Sequence, residues 1–263
     1  MKRQRLGIMG KAIVHKPWIR AGLALVFAGV LQGAGYQPMT KEEVLEVLSR
    51  TEEDKRPNLR DKDLRGLDLS GVDFKGADLF GTHLAAVKLN KANLDRCSLD
   101  IAILRGADLQ GASLRRASLF GVVLVDANLR GADLSGARIV ADLKRADLEG
   151  AKLKDANLAT DAKNQPMGKI RAMLENANLK GADLSGAKLA GCEMKFADLS
   201  GADLSGADLS GCDLRSVVFS GARMRGVDLS DARIAGARLD RIEGKDEIVG
   251  LQQADGVEEA VFD

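Results

Sequence analysis

The sequence predicts an all-β solenoid, and three periodic rows of residues predict it. Large apolar residues recur at every fifth position from Leu59 to Ile139, resume one residue early from Leu143 to Leu158, and run again from Leu174 to Leu239. Of these 35 centres 29 are Leu, so the row is built to be buried. Two residues before nearly every centre (position i−2, the centre being i) stands a small side chain, as at Ala77, Ala107, Ala132, Ala182, Ala202 and Ala207. Two residues after it (i+2) stands glycine, as at Gly66, Gly71, Gly106, Gly131, Gly181 and Gly201. A period of five suits neither standard element, because it carries each Leu about 140° round an α-helix and alternates faces in a flat strand. A unit of three extended residues followed by a corner resolves the conflict, since i−2 and i then point the same way. Glycine supplies the positive φ that the third residue of a type II turn requires.

Units such as residues 202–206 and 207–211, each reading Ala-Asp-Leu-Ser-Gly, match the A(D/N)LXX pattern. On these units the chain resembles the pentapeptide-repeat family over residues 59–241. The resemblance implies a right-handed quadrilateral parallel β-helix with four repeats per coil and Leu and Ala inside. The 35 centres then make about nine coils, and at ~4.8 Å per coil a stack of roughly 40 Å.

The segments follow in order. Residues 1–35 read as a secretory signal peptide: basic Lys2, Arg3, Arg5, Lys11, Lys16 and Arg20, an apolar stretch from Ala21 to Leu31, and small Gly33, Ala34 and Gly35 before Tyr36. Cleavage near Gly35 makes the protein periplasmic or secreted. The alternative is an uncleaved segment anchoring it in the inner membrane, the one membrane contact expected, although the apolar run falls short of the ~20 residues a spanning helix needs. Residues 36–58 carry an N-terminal capping helix, in which Thr40 and Glu43 form a capping-box pattern and Val44, Leu45, Val47 and Leu48 one apolar face. Residues 59–241 are the repeat, and residues 159–173, with Pro166 and Gly168, interrupt it and are expected to leave a corner as a loop. Residues 242–263 lose the period and are expected to cap the far end, where a solenoid exposes a raw sheet edge and an open core.

Composition narrows the function. The aromatic share is 3%, so the core is made of small and aliphatic side chains. The formal net charge is +1, but the leader carries the excess: without its six basic residues, 33 basic side chains face 38 acidic ones, a net of −5. A mildly acidic body argues against a nucleic-acid partner, which depends on neutralising phosphates. The two histidines, His15 and His83, offer neither a metal site nor a nucleophile–His pair. The spacing of Gly181 and Gly186 resembles the start of a phosphate-binding loop, but Ala187 stands where that loop has Lys. Asp198, Asp203, Asp208 and Asp213 take the outward position i−1 and read as solvated ladders. No catalytic, cofactor-binding or metal residue is assigned, no cofactor is expected, and the chain reads as no enzyme.

Two groups of side chains stand out. On a 20-residue coil, Phe80, Phe120 and Val140 stack along one corner with Ile101 beside them. The adjoining face carries His83, Ile103 and Val123 in one column and Val125 in another. A contiguous apolar patch marks an interface, so this corner is the candidate contact for a protein partner or a homodimer. Cys97, Cys192 and Cys212 fall at the inward position i−2. Cys192 and Cys212 lie 20 residues apart and so one above the other at ~4.8 Å, inside the Cα range of a disulfide, although parallel Cβ vectors at that spacing are slightly too far apart. They are the candidate disulfide in an oxidising compartment. The functional expectation is an exported, non-enzymatic structural or protein-interaction module. The alternative is a gyrase-directed DNA mimic in the cytoplasm, since some members of the resembled family protect DNA gyrase and bear projecting loops; it requires a strongly acidic surface.

Overall fold

The computed structural model describes residues 35–52, 55–159 and 171–263. The expected signal peptide, up to residue 34, and residues 160–170 of the expected loop lie outside the described residues. A compact unit runs from Tyr36 to Asp263.

The unit is all-β apart from its two ends. Short parallel bridges link each residue i−1 to its counterpart 20 residues on: Asn58 to Asp78, Asp63 to His83, Asp68 to Lys88 and Asp73 to Asn93. These four pairings open four columns, called here the first to fourth sides. All 35 apolar centres are buried in one continuous core, with the small row beside them. Each buried Leu contributes on the order of 1.5–3 kcal/mol, which is how a chain so poor in aromatics holds together.

The backbone explains the rest of the repeat. In the unit around Leu64, the Leu64 N–H donates to His83 O in the coil above (2.8 Å), and Gly66 N–H to Ala85 O (3.1 Å). Leu67 N–H closes the corner on Leu64 O (3.3 Å), and Lys88 N–H reaches down to Leu67 O (2.9 Å). Four of five N–H groups are thereby satisfied, and the fifth, at i+1, has no ladder partner. The i−1 side chain supplies it: Asp63 Oδ1 accepts from Arg65 N (3.1 Å), Asp68 Oδ1 from Ser70 N (3.1 Å), and Asp203 Oδ1 from Ser205 N (3.0 Å). Asp198, Asp203 and Asp208, read as solvated ladders, are therefore backbone caps, which is why Asp and Asn are frequent at i−1, beside Lys, Ser and Arg.

Helix α1 (Lys41–Arg50) begins at the expected capping box, with Glu43 N donating to Thr40 Oγ1 (3.2 Å) and Thr40 N to Glu43 Oε2 (2.7 Å). It buries Val44 and Leu48, while Leu45 stays exposed, so its apolar face is narrower than the sequence pattern. Lys75 Nζ donates to Leu48 O (2.9 Å) and ties the helix end to the repeat. Just before it, β1 (Gln37–Pro38) pairs in parallel with β2 (Lys62–Asp63).

The frame changes at the four-residue unit between Ile139 and Leu143. With one corner residue missing, β4 (Arg138–Asp142) runs straight beside β3 (Ser118–Val123), and the register shifts between Phe120 and Val123. Bridges there span 19 residues, as from Asn128 to Asp147, and 31 across the insertion, as from Asp142 to Met173.

The tail does not lose the period; it lengthens it to six. Glu243, Val249, Asp255 and Val261 bridge to Arg223, Asp228, Arg233 and Arg238. The corners between them are 3₁₀ turns, Lys245–Glu247, Leu251–Gln253 and Val257–Glu259, each entered through a left-handed glycine.

One expectation is corrected. Membrane attachment through an uncleaved N-terminal segment is set aside, because no helix among the described residues is long and apolar enough to cross a membrane.

Candidate interaction surface

The structure brings most of the candidate patch together, with changes. Phe80 and Phe120 stand half-buried on the corner between the first and second sides. Each ring is covered by a guanidinium, Arg60 Cζ lying 4.1 Å from the Phe80 centroid and Arg138 Cζ 4.5 Å from that of Phe120. Between them Asp100 Oδ1 accepts from Phe120 N (3.0 Å) and Ser118 Oγ (2.5 Å). Val140 and Val125 are not part of an outer surface, at 2% and 4% exposure. Val140 sits in the unit that lacks a corner from which to project. Val125 is flanked in its column by the long side chains of Arg105 and Lys144.

On the second side the cap is missing in three successive coils. His83, Ile103 and Val123 bridge in succession where Asp63 and Asp142 stand below and above them. None of the three offers a carboxylate to position i+1, and the N–H groups of Ala85, Arg105 and Val125 have no protein acceptor among the described residues. His83 is further occupied by Tyr36, whose ring lies 5.3 Å away, centroid to centroid, at 51°. Burial, with the Arg65 charge behind it, holds the His83 imidazole below its ordinary value, so it is neutral at pH 7.

Ile101 marks the same place by strain. It occupies the corner position at φ 56, a conformation that a β-branched residue rarely adopts. Room for it comes from Gly121 in the next coil, where a Cβ would stand 3.2 Å from Ile101 Cγ2. Ile101, Ile103, Phe120 and Val123 are thus an apolar strip where three successive coils lack the cap.

Three features escaped sequence reasoning. Tyr36 on His83 has no signal in the repeat pattern. Phe196 replaces a corner glycine at φ 60 and is 61% exposed, visible in the sequence only as a break in the glycine row. Asp213 is a buried charge held by three cations: Arg215 Nε (2.8 Å), Arg233 Nη2 (2.7 Å) and Lys195 Nζ (3.3 Å). Burial alone raises its pKa, but the hydrogen bonds from Arg215 and Lys195 and the Arg233 charge outweigh it and push it down to about 2.

Cys97, Cys192 and Cys212 are buried free thiols. No bond joins the candidate pair Cys192 and Cys212 in this structure. Stacked one coil apart, the thiols turn to carbonyls instead, Cys192 Sγ to Leu158 O (3.3 Å) and Cys212 Sγ to Leu189 O (3.0 Å). The hydrogen bond with Cys212, and then burial, push the Cys192 thiol well up, and burial pushes Cys97 up to about 12. Among the described residues no group of three or more His, Cys, Asp or Glu could hold a metal ion.

Stacked five-residue units with an apolar interior and varied outward columns define a β-helical repeat protein. The chain belongs to the pentapeptide-repeat family: the model of pentapeptide repeats matches residues 56–85, 77–116, 102–139, 141–159, 170–206 and 207–242. It is similar to HetL, a pentapeptide repeat protein involved in heterocyst differentiation regulation from the cyanobacterium Nostoc sp. strain PCC 7120. The identity is 31% over 78% of this chain and 94% of that one, with a TM-score of 0.44. QnrB1, a plasmid-mediated fluoroquinolone resistance protein, is 19% identical over 76% and 93%, with a TM-score of 0.53, a likeness of fold alone. A pentapeptide repeat protein of the Arabidopsis thaliana thylakoid lumen is 31% identical over 56% and 70%, with a TM-score of 0.18. No curated relative matches the chain.

Proposed function

We propose that this protein is an exported protein-interaction module. In this reading a right-handed, four-sided β-helix of about nine coils, closed at its start by α1, presents the Ile101, Ile103, Phe120 and Val123 strip to another protein. The observation that carries it is the run of three i−1 residues that give up the backbone cap and place apolar or neutral side chains outward. Local rules broken without an internal gain are expected at functional surfaces. Export is supported by the three-part leader and by the start of the compact unit at Tyr36, one residue beyond the expected cleavage point. The DNA-mimic alternative needs a strongly acidic body, and −5 is weak support for it.

The double substitution Ile103→Asp and Val123→Asp tests the strip. Each Asp restores a cap, a gain of about 0.5–1.5 kcal/mol, and each removes a half-buried side chain, a loss of roughly 1 kcal/mol. The variant keeps its stability within about 1 kcal/mol and loses self-association or capture of a purified partner. A variant that is strongly destabilised, or that associates like the parent, rejects the strip. Intact-mass measurement on protein from the native host tests export: a mass that still includes Trp18 rejects it.

A further inference from the structure

The C-terminal end of the stack carries a second surface of a different kind. Interior coils are closed by the coil above them, but among the described residues nothing lies above the last layer. Ile248, Leu251, Val257, Ala260 and Phe262 pack on the core from one side and stay half-buried, and Val249 and Val261 are 54% and 51% exposed. The backbone is open at the same level. Interior units send the centre N–H and the i−2 carbonyl to the coil above; the matching N–H groups of Gly244, Gly250, Gly256 and Phe262 have no protein partner among the described residues, nor do the carbonyls of Ile242, Ile248, Ala254 and Ala260. Residues 242–263 hold seven carboxylates against the single Lys245. Asp246, Glu258 and Glu259, on two of the corner turns, have no ion-pair partner among the described residues.

We infer that this end docks a basic amphipathic helix of a partner protein. The other end of the same unit shows what the end of a coil accepts: α1 lays Val44 and Leu48, one turn apart, on the first coil. An equivalent helix fits the open apolar layer here, and an acidic rim selects one flanked by Lys or Arg. A second copy is disfavoured in both orientations. End to end, two acidic rims would meet, and head to tail, α1 already occupies the first coil. An edge strand fits poorly as well, since the free donors and acceptors are spread over four sides with one of each per side.

The probes are two synthetic helical peptides with Leu at i and i+4, one flanked by Lys and the other by Glu, titrated calorimetrically into the full chain. The Lys peptide binds one per chain, and its affinity falls at least tenfold between about 50 mM and about 500 mM salt; the Glu peptide does not bind. Glu258→Lys with Glu259→Lys weakens binding about tenfold. The remote pair Glu42→Lys and Asp155→Lys, which changes net charge equally, does not. If the end variant loses its circular dichroism, Glu258→Gln with Glu259→Gln reads the same site more gently. Failure of the Lys peptide to bind, or equal weakening by both pairs, overturns the proposal. So does a dimer in sedimentation that the end variant abolishes, because a second copy is then the occupant.

Discussion

Replacing Asp213 by Asn removes one charge from a site built around it. The side chain is 4% exposed and takes Arg215, Arg233 and Lys195, the last two from the neighbouring coils, so it links three layers. Its pKa of about 2 lies roughly two units below the ordinary ~3.9, and at 1.36 kcal/mol per unit this amounts to about 2.5 kcal/mol at neutral pH. The sign follows from proton binding. Between about pH 4 and pH 2 the unfolded carboxyl binds a proton that the folded one refuses, so the contribution is complete above pH ~4 and is lost as pH falls through ~2. Asn cannot replace it, because its amide adds a donor to a ring of donors while three cations stay crowded together. The expected loss at pH 7 is about 2–4 kcal/mol, or roughly 5–12 °C in melting temperature for a unit of this size. Far-ultraviolet circular dichroism during urea unfolding is the assay, since Trp18 is the only tryptophan and Tyr36 the only tyrosine. Repeating it at pH 7, 5 and 3 isolates Asp213, because the other depressed carboxylates, Asp198 and Asp203 among them, titrate in both proteins. A loss under about 0.5 kcal/mol at pH 7, or a difference that stays constant down to pH 3, refutes the reasoning.

Two further outcomes follow from the core. All three thiols are buried and unpaired, so native protein should react slowly with a thiol reagent and unfolded, unreduced protein should titrate three thiols; a count of one would mean that Cys192 and Cys212 close after all. Ala207→Leu should cost about 1–3 kcal/mol by overpacking, whereas Ser205→Leu, an outward change in the same unit, should cost much less in thermal denaturation; equal losses would contradict the inward assignment of the small row.

The inward rows were legible because each is a local repeat: Leu and Ala recur at fixed spacing whether or not neighbouring coils are known. The candidate strip was legible only in part. Laying residues on a 20-residue coil brings Ile103 and Val123 together, but it assumes a constant period, and one missing residue after Ile139 pulls Val140 out of the surface it was assigned to. The purpose of the aspartates was hidden for another reason. Nothing in Asp203-Leu204-Ser205 shows that the Ser205 N–H is left over; that emerges once the bonds to the coils above and below have used the other four. Recognition by Arg60, Arg138 and Tyr36 of the aromatic and histidine side chains was likewise a matter of side-chain direction, which spacing does not carry.

The tail was misread because the period changed rather than ended, and the glycines show why the longer step needs them. At an ordinary corner such as Gly201, φ is 66 and a Cβ would meet nothing within 4 Å, so glycine serves only the left-handed backbone. Gly201→Ala should therefore cost on the order of 1 kcal/mol. In the six-residue step the turn folds back onto the coil below. A Cβ on Gly250 would stand 2.5 Å from Ser230 N and 2.6 Å from Ser230 Cα, which is backbone that cannot move aside cheaply, and φ there is 73. Gly250→Ala combines the left-handed penalty with that collision and should cost about 2–4 kcal/mol. The loss should be local to the last layer, because a solenoid's stability is nearly additive along its coils. Hydrogen exchange reads this directly: amides that bond the tail to the layer below, such as Val249 N to Val227 O (2.8 Å), should lose protection in Gly250→Ala while those around Leu104 keep theirs. If Gly201→Ala and Gly250→Ala destabilise equally, or if exchange quickens throughout the repeat, the close approach of the tail to Ser230 is not what its glycines are for.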